Sequence, residues 1–214
     1  MFTSKGLLKF VGAAILTLCA SGAGAATFSN TANADDIFPF GYPDTTTYGQ
    51  TFNLSQASVL QDWSFFTASG NSGNLRLVVA AWDGSKAVGS ELYTSAISYA
   101  GGVQTLAFGS INLNLSAGSY VSYITVAGVT GAASNVFTKG SLDDGGLGGA
   151  FRYLNSNGID PLALSDTWDS YYVPSMQFEA NISPVPEPEI YAMMGLGLGL
   201  LGWAGRHRRK HQAA

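Results

Sequence analysis

The chain has 214 residues, ten basic and fourteen acidic side chains and a formal net charge of −4, enough length for one buried core without covalent staples. Six of the ten basic residues (Lys5, Lys9, Arg206, Arg208, Arg209 and Lys210) sit at the two ends, so the stretch 26–189 sets four bases against all fourteen acids, a net charge of −10 that excludes a phosphate-neutralising surface and hence a nucleic-acid partner. Cys19, His207 and His211 also lie at the ends, which leaves the interior without thiol or imidazole and excludes disulfides, cysteine nucleophiles, Cys- or His-ligated zinc and a Ser-His-Asp triad.

In chain order, Lys5 and Lys9 give a positive start. Leu7 to Cys19 is almost unbroken apolar sequence, and Ala23-Gly24-Ala25 supplies the small-x-small pattern of a cleavage site. These features predict a secretory signal peptide over 1–25, cut after Ala25 or, as the alternative, after Ala26. Leu18 stands before Cys19, where lipid attachment wants a small residue. From Ala26 to about Tyr48 the sequence is irregular, with Ile37-Phe38-Pro39-Phe40 and Tyr42 expected to pack onto the body.

Strand patterns follow. They cover 59–68, Leu75 to Trp82, Thr105 to Phe108, the strict alternation Ile111-Asn112-Leu113-Asn114-Leu115, Tyr120 to Val126, Ala150 to Leu154 and Met176 to Ile182. Period-2 runs of this length suit strands half buried on a core. Turn clusters part them, among them Ser69-Gly70-Asn71-Ser72-Gly73, Asp83-Gly84-Ser85 and Asn155-Ser156-Asn157-Gly158. No stretch sustains a 3.6 period. The expected fold is all-β, a single jelly-roll-like β-sandwich over 26–184. Gly140 to Gly149 holds five glycines in ten residues and is expected to be a mobile loop.

After the body come Pro186 and Pro188, which bar helix and mark a boundary. Ile190 to Gly205 is then apolar for 16 residues, about 24 Å as a helix. A hydrocarbon core is ~30 Å thick, a deficit that snorkelling arginines and local thinning can absorb. Arg206, Arg208, Arg209 and Lys210 follow as a basic stop, which places the C-terminus on the cytoplasmic side. Both ends therefore predict one C-terminal transmembrane helix, about 190–205, with the body outside.

Two candidate sites stand out in the body. Asp143-Asp144, with Asp160, Asp166 or Asp169 as further oxygens, could hold calcium, although no EF-hand spacing is present and turn-forming aspartates in a solvated loop explain them too. No other cofactor is expected. Trp168, Tyr171 and Tyr172 lie in a polar stretch and could stack on sugar rings, with core packing as the alternative. Trp63 and Trp82, set in apolar runs, are expected in the core. Loss of both histidine and cysteine removes most catalytic plans. Paired carboxylates such as Asp62, Asp83 or Glu91 keep polysaccharide hydrolysis or lysis open as the competing reading. The leading expectation is a non-enzymatic protein of structural or adhesive role.

The tail resembles the PEP-CTERM sorting signal of bacterial envelope proteins. The match rests on Val185-Pro186-Glu187-Pro188, on the Gly/Leu-rich segment Gly195 to Gly202 and on the cluster Arg206 to Lys210, which together make 185–210 a sorting signal. The resemblance implies export, processing by an exosortase as partner, and an organism that makes extracellular polysaccharide. It also implies that Pro186, Glu187 and Pro188 are recognised residues of a substrate and have no catalytic role.

Overall fold

The computed structural model describes residues 24–31, 35–42, 45–186, 193–201 and 203. The expected signal peptide over 1–25 lies almost wholly outside the described residues. So do Glu187, Pro188 and the basic stop at Arg206, Arg208, Arg209 and Lys210.

The body, Ala25–Pro184, holds thirteen described strands: β1 (Ala26–Ser29), β2 (Asp36–Phe40), β3 (Thr47–Leu54), β4 (Ser58–Asn71), β5 (Gly73–Trp82), β6 (Ala87–Tyr99), β7 (Gln104–Phe108), β8 (Leu113–Leu115), β9 (Gly118–Thr125), β10 (Ser134–Ser141), β11 (Phe151–Leu154), β12 (Ser175–Met176) and β13 (Phe178–Pro184). Among the described residues, a 3-10 turn at Pro161–Ala163 interrupts the β pattern. All-β is therefore the observed class.

Two antiparallel sheets form. The larger is ordered β1-β13-β4-β10-β12, with β2 on β10 and both β7 and β8 on β4. The smaller runs β11-β3-β9-β5-β6. β4 belongs to the first and β5 to the second, so the chain changes sheets at Ser72. Inward-facing residues fill the space between: Leu60, Trp63 and Phe65 from β4, whose register against β13 shifts between Leu60 and Asp62, with Leu75, Leu77 and Val79 from β5, Phe52 from β3 and Phe178 from β13, all buried in one cluster. Trp63 is its centre, stacked on Phe178 at 4.9 Å and tilted against Phe52 at 5.1 Å.

The expected runs 75–82 and 120–126 fall on β5 and β9, 59–68 is the middle of the longer β4, and 176–182 is split by Gln177 between the end of β12 and β13. Five strands escape the sequence reading, β1 and β2 in the stretch read as irregular and β3, β6 and β10 outside the expected runs. β3 is buried at almost every position yet carries Thr47, Gln50 and Thr51, which find internal partners: Thr47 bonds Thr125 at 2.8 Å, and Gln50 Oε1 accepts from the Met176 amide at 2.9 Å. β6 alternates, but with small and polar residues, and β2 lies in the stretch read as irregular. β10 is interrupted by register shifts and spells Ser-Asn-Val-Phe-Thr-Lys-Gly-Ser. The run 111–115 shrinks to β8 because Asn112 has φ 49, off the strand region. Ile37 and Phe40 are buried as expected, whereas Phe38 and Tyr42 are exposed.

The glycine-rich segment is pinned, in contrast to the expected mobility. Asn53 amides bond it twice, from backbone N to Leu147 O and from Nδ2 to Gly148 O, and Leu147 is buried. Its glycines are a packing requirement, since a Cβ on Gly149 would sit 1.6 Å from Thr51 O.

The other face of the smaller sheet carries a second cluster. Val78 and Ala80 of β5, Val121 and Tyr123 of β9, and Ala87, Leu154 and Trp168 are buried there, with Leu162 and Leu164 against them. The segment between β11 and β12 thus roofs this face. Beside it Arg76 pairs with Glu91, and its Nη2 lies 3.9 Å from Asp160 Oδ2.

Residues 193–201 form a helix, described here by itself. Every described side chain on it is exposed, Met193, Leu196, Leu198 and Leu200 among them, so its surface is apolar all round. Among the described residues no helix is long and apolar enough to cross a membrane.

Tyr123 generates a prediction. Its hydroxyl is buried without a hydrogen-bond partner among the described residues. Burial first, and then the charges of Asp160 and Glu91, push its pKa far above the ordinary value of about 10. The folded state therefore keeps this proton after the unfolded chain has released it, and stability falls as pH rises above about 10. Tyr123→Phe retains the ring and removes the unpaired group. Urea denaturation should show equal or higher stability at neutral pH and a flatter loss between about pH 9 and 11. A loss of more than about 1 kcal/mol at neutral pH would mean that the hydroxyl is bonded.

Candidate functional site

β11 is the outer strand of the smaller sheet, and its free edge is covered by the segment 169–174. The Tyr153 amide donates to Asp169 O at 3.1 Å, the Asp169 amide returns a bond to Tyr153 O at 2.9 Å, and the Phe151 amide donates to Pro174 O at 2.7 Å. Tyr171 and Tyr172 lie between these clamps, so the short segment that carries them is held at both ends.

Tyr171 turns inward. It meets Phe151 and Tyr153 edge-on, each at 6.4 Å and 88°. Tyr172 stands on Tyr171 at 4.5 Å and is 64% exposed, so one aromatic ring is fixed to the core and the next is offered to solvent. The Tyr172 hydroxyl lies 3.5 Å from Asp35 Oδ2. Local desolvation, and then the Asp35 charge, raise its pKa, so the phenol stays neutral and able to donate. Sequence reading picks out Tyr171 and Tyr172 but misses Phe151 and Tyr153 as their support. The signal was the period-2 spacing that puts both on one face of β11.

Trp168 is not part of that surface. It is 4% exposed, edge-on to Tyr123 at 5.3 Å and to Trp82 at 5.6 Å. Its ring fills the space over Gly49, where a Cβ would come within 2.8 Å of it. A ring so enclosed has no free face for a sugar, and of the expected aromatic trio the structure brings only Tyr171 and Tyr172 together at the surface.

Asp143 and Asp144 are adjacent but spend their side chains on turns: Asp143 Oδ1 accepts from the Gly145 amide and Asp144 Oδ1 from the Gly146 amide, both at 2.8 Å. Asp160 accepts from the Leu162 amide at the head of the 3-10 turn. Among the described residues no group of three or more His, Cys, Asp or Glu is placed to share a metal ion.

The three carboxylates of the hydrolytic reading fall in separate places. Asp62, on β4 in the larger sheet, accepts from Asn181 Nδ2 at 2.9 Å through both oxygens. Asp83 closes the turn between β5 and β6, accepting from the Ser85 and Lys86 amides, which hold its pKa below the usual carboxylate range. Glu91 is paired with Arg76.

At the end of the body, Pro184 closes β13 opposite Ser58, and the next residue, Val185, is exposed. Pro186 is the last described residue before the helix segment.

No curated protein matches the chain. Among solved structures, the cysteine protease and lectin-like domains of Cwp84, a surface layer associated protein of Clostridium difficile, align with 66% of this chain at 13% identity and a TM-score of 0.44. The chain spans 32% of the length of that protein. The CBM36-1 domain of a multidomain xylanase from the hindgut metagenome of Trinervitermes trinervoides aligns with 54% of this chain and 95% of its own length, at 16% identity and a TM-score of 0.29. The VP2 subviral particle protein of infectious bursal disease virus aligns with 86% of this chain and 50% of its own, at 11% identity and a TM-score of 0.27. The family model for the PEP-CTERM protein-sorting motif matches residues 184–210. The chain thus carries a PEP-CTERM sorting motif, the mark of an exported, envelope-directed protein that is sorted by an exosortase.

Proposed function

We propose that this chain is a non-enzymatic surface protein whose acidic β-sandwich is delivered outside the cytoplasm and there associates with extracellular polysaccharide in a structural or adhesive role. The single observation that carries the delivery is the sorting motif over 184–210. In this reading 1–25 is a cleaved signal peptide. Ile190 to Gly205 crosses the bilayer once, and the basic residues Arg206, Arg208, Arg209 and Lys210 remain on the cytoplasmic side. The helix at 193–201 supports the span, because a helix apolar on every side gains by burial in lipid and exposes its surface at a cost in water. Val185, Pro186, Glu187 and Pro188 are then what the exosortase reads.

The Tyr171–Tyr172 pair is the proposed sugar contact. An exposed Tyr172 ring, backed by the tilted Tyr171 ring on a clamped segment, gives an apolar contact surface at little entropic cost. Asp35 beside it, in a body whose four bases face twelve acids for a net charge of −8, favours neutral over anionic polysaccharide. The competing hydrolase reading would need two carboxylates facing one substrate, and Asp62, Asp83 and Glu91 each serve a different local contact.

Two outcomes are expected. On an affinity gel containing a neutral polysaccharide, Tyr172→Ala should abolish retardation with a stability change within about 0.5 kcal/mol, the range of an exposed substitution. Trp168→Ala should instead destabilise by about 3 kcal/mol through its cavity. Retardation that survives Tyr172→Ala would remove the aromatic contact. In the native host, replacing Pro186, Glu187 and Pro188 together by alanine should leave the C-terminal segment attached, read as an intact mass that includes residues 190–214. A processed mass identical to that of the parent would rule out recognition through this motif.

A further inference from the structure

β6 is the free edge of the smaller sheet. Among the described residues it pairs with β5 alone, and no backbone bond joins its outer side to another segment. It is also long, at 13 residues. A register shift near Val79 and Ala81 disturbs its first half, but Tyr93 to Tyr99 pairs residue by residue with Val79 to Gly73. An edge of this kind presents a row of unpaired amides and carbonyls, and natural sheets blunt it with lysine, proline, a bulge or an inward charge. The stretch Leu92-Tyr93-Thr94-Ser95-Ala96-Ile97-Ser98-Tyr99 has none of these. In a body of net charge −8 it is eight residues without a charge, and the nearest acid on the strand, Glu91, is neutralised by Arg76.

We infer that β6 is the interface of a homodimer, in which two copies pair β6 against β6 antiparallel and join their five-stranded sheets into one of ten strands. The favoured occupant is a second copy because the strand is complementary to itself. Face continuity across the join requires that residues of one face meet residues of the same face. Pairing centred on Ser95 satisfies this and sets Tyr93 opposite the partner's Ile97 and Ile97 opposite the partner's Tyr93. Both side chains are half buried at the rim of the main core, so the join covers that rim from outside. Aromatic and β-branched residues directly opposed are favourable cross-strand pairs. Thr94 meets the partner's Ala96 on the other face, and no charge meets another. The arrangement is two-fold and closed, as one edge used twice must be.

The test uses the full chain with Cys19→Ser, in detergent micelles, with mass measured by sedimentation equilibrium. A dimer is expected, and it should tighten as salt rises from about 0.05 to about 0.5 M, because two acidic bodies repel and the repulsion is screened. Ser95→Lys sets two like charges face to face at the two-fold and should give a monomer with unchanged far-ultraviolet circular dichroism. Ser95→Cys should form an intermolecular disulfide under mild oxidation, whereas Ser98→Cys, which faces the partner's Leu92, should not. Should Ser95→Lys fail to fold, the paired cysteine variants decide alone. A monomer at all concentrations, a dimer that survives Ser95→Lys, or equal crosslinking at 95 and 98 would overturn the inference.

Discussion

The body depends on one contact, the insertion of Trp63 between the two sheets. It leaves β4 in the larger sheet and meets Phe52 of the smaller sheet on one side and Phe178 on the other. Complete removal of such a ring from water, with Phe52, Phe65 and Phe178 as aromatic partners, outweighs the cost of its defect: the indole Nε1 is buried without a hydrogen-bond partner among the described residues. An unpaired buried donor costs about 1–3 kcal/mol. Truncation of a buried Trp costs about 3–5 kcal/mol, and each aromatic pair adds about 0.5–1.5 kcal/mol beyond area. The ring wins, and the sheets are held face to face by apolar packing in a chain whose interior has no cysteine to join them.

A second consequence follows from how the smaller sheet is covered. One face closes the main core and the other is roofed by the segment after β11, with Trp168 seated over Gly49. That roof is what fixes the segment 169–174 along β11 and holds Tyr171 and Tyr172 in place. Display of the Tyr171–Tyr172 pair at the surface is thus a by-product of burying Trp168 in the same cover, and the two roles divide between neighbours in sequence. The C-terminal helix has the opposite character, apolar on all described sides, and belongs to the segment that carries the sorting motif.

Much of this was legible in the residues, and the gaps have physical causes. The β-branched and aromatic runs of β5, β9 and β13 announce themselves because their burial is apolar. β3 does not, because Thr47, Gln50 and Thr51 are buried through hydrogen bonds to distant partners that only the fold brings near. β6 is hidden for the reverse reason: it sits at an edge and buries little, so its alternation is written in serine, threonine and alanine. Trp168 looks like a binding residue in a polar stretch, since nothing local reveals that a glycine on β3 leaves room for its ring. The glycine-rich segment reads as slack, although close approach to Thr51 and Phe178 is what demands glycine there. The tail was the most legible part, because its pattern answers to the sorting motif over 184–210 and not to this body's packing.

The central claim is that the acidic sandwich resides outside the cytoplasmic membrane. It is tested most directly by placing a single thiol on an exposed loop of the body away from β6, Ser55→Cys in a Cys19→Ser background, and treating intact spheroplasts with a membrane-impermeant maleimide. The account predicts full labelling before lysis and no further gain after it. Labelling that appears only once the membrane is broken would place the body in the cytoplasm and contradict the account.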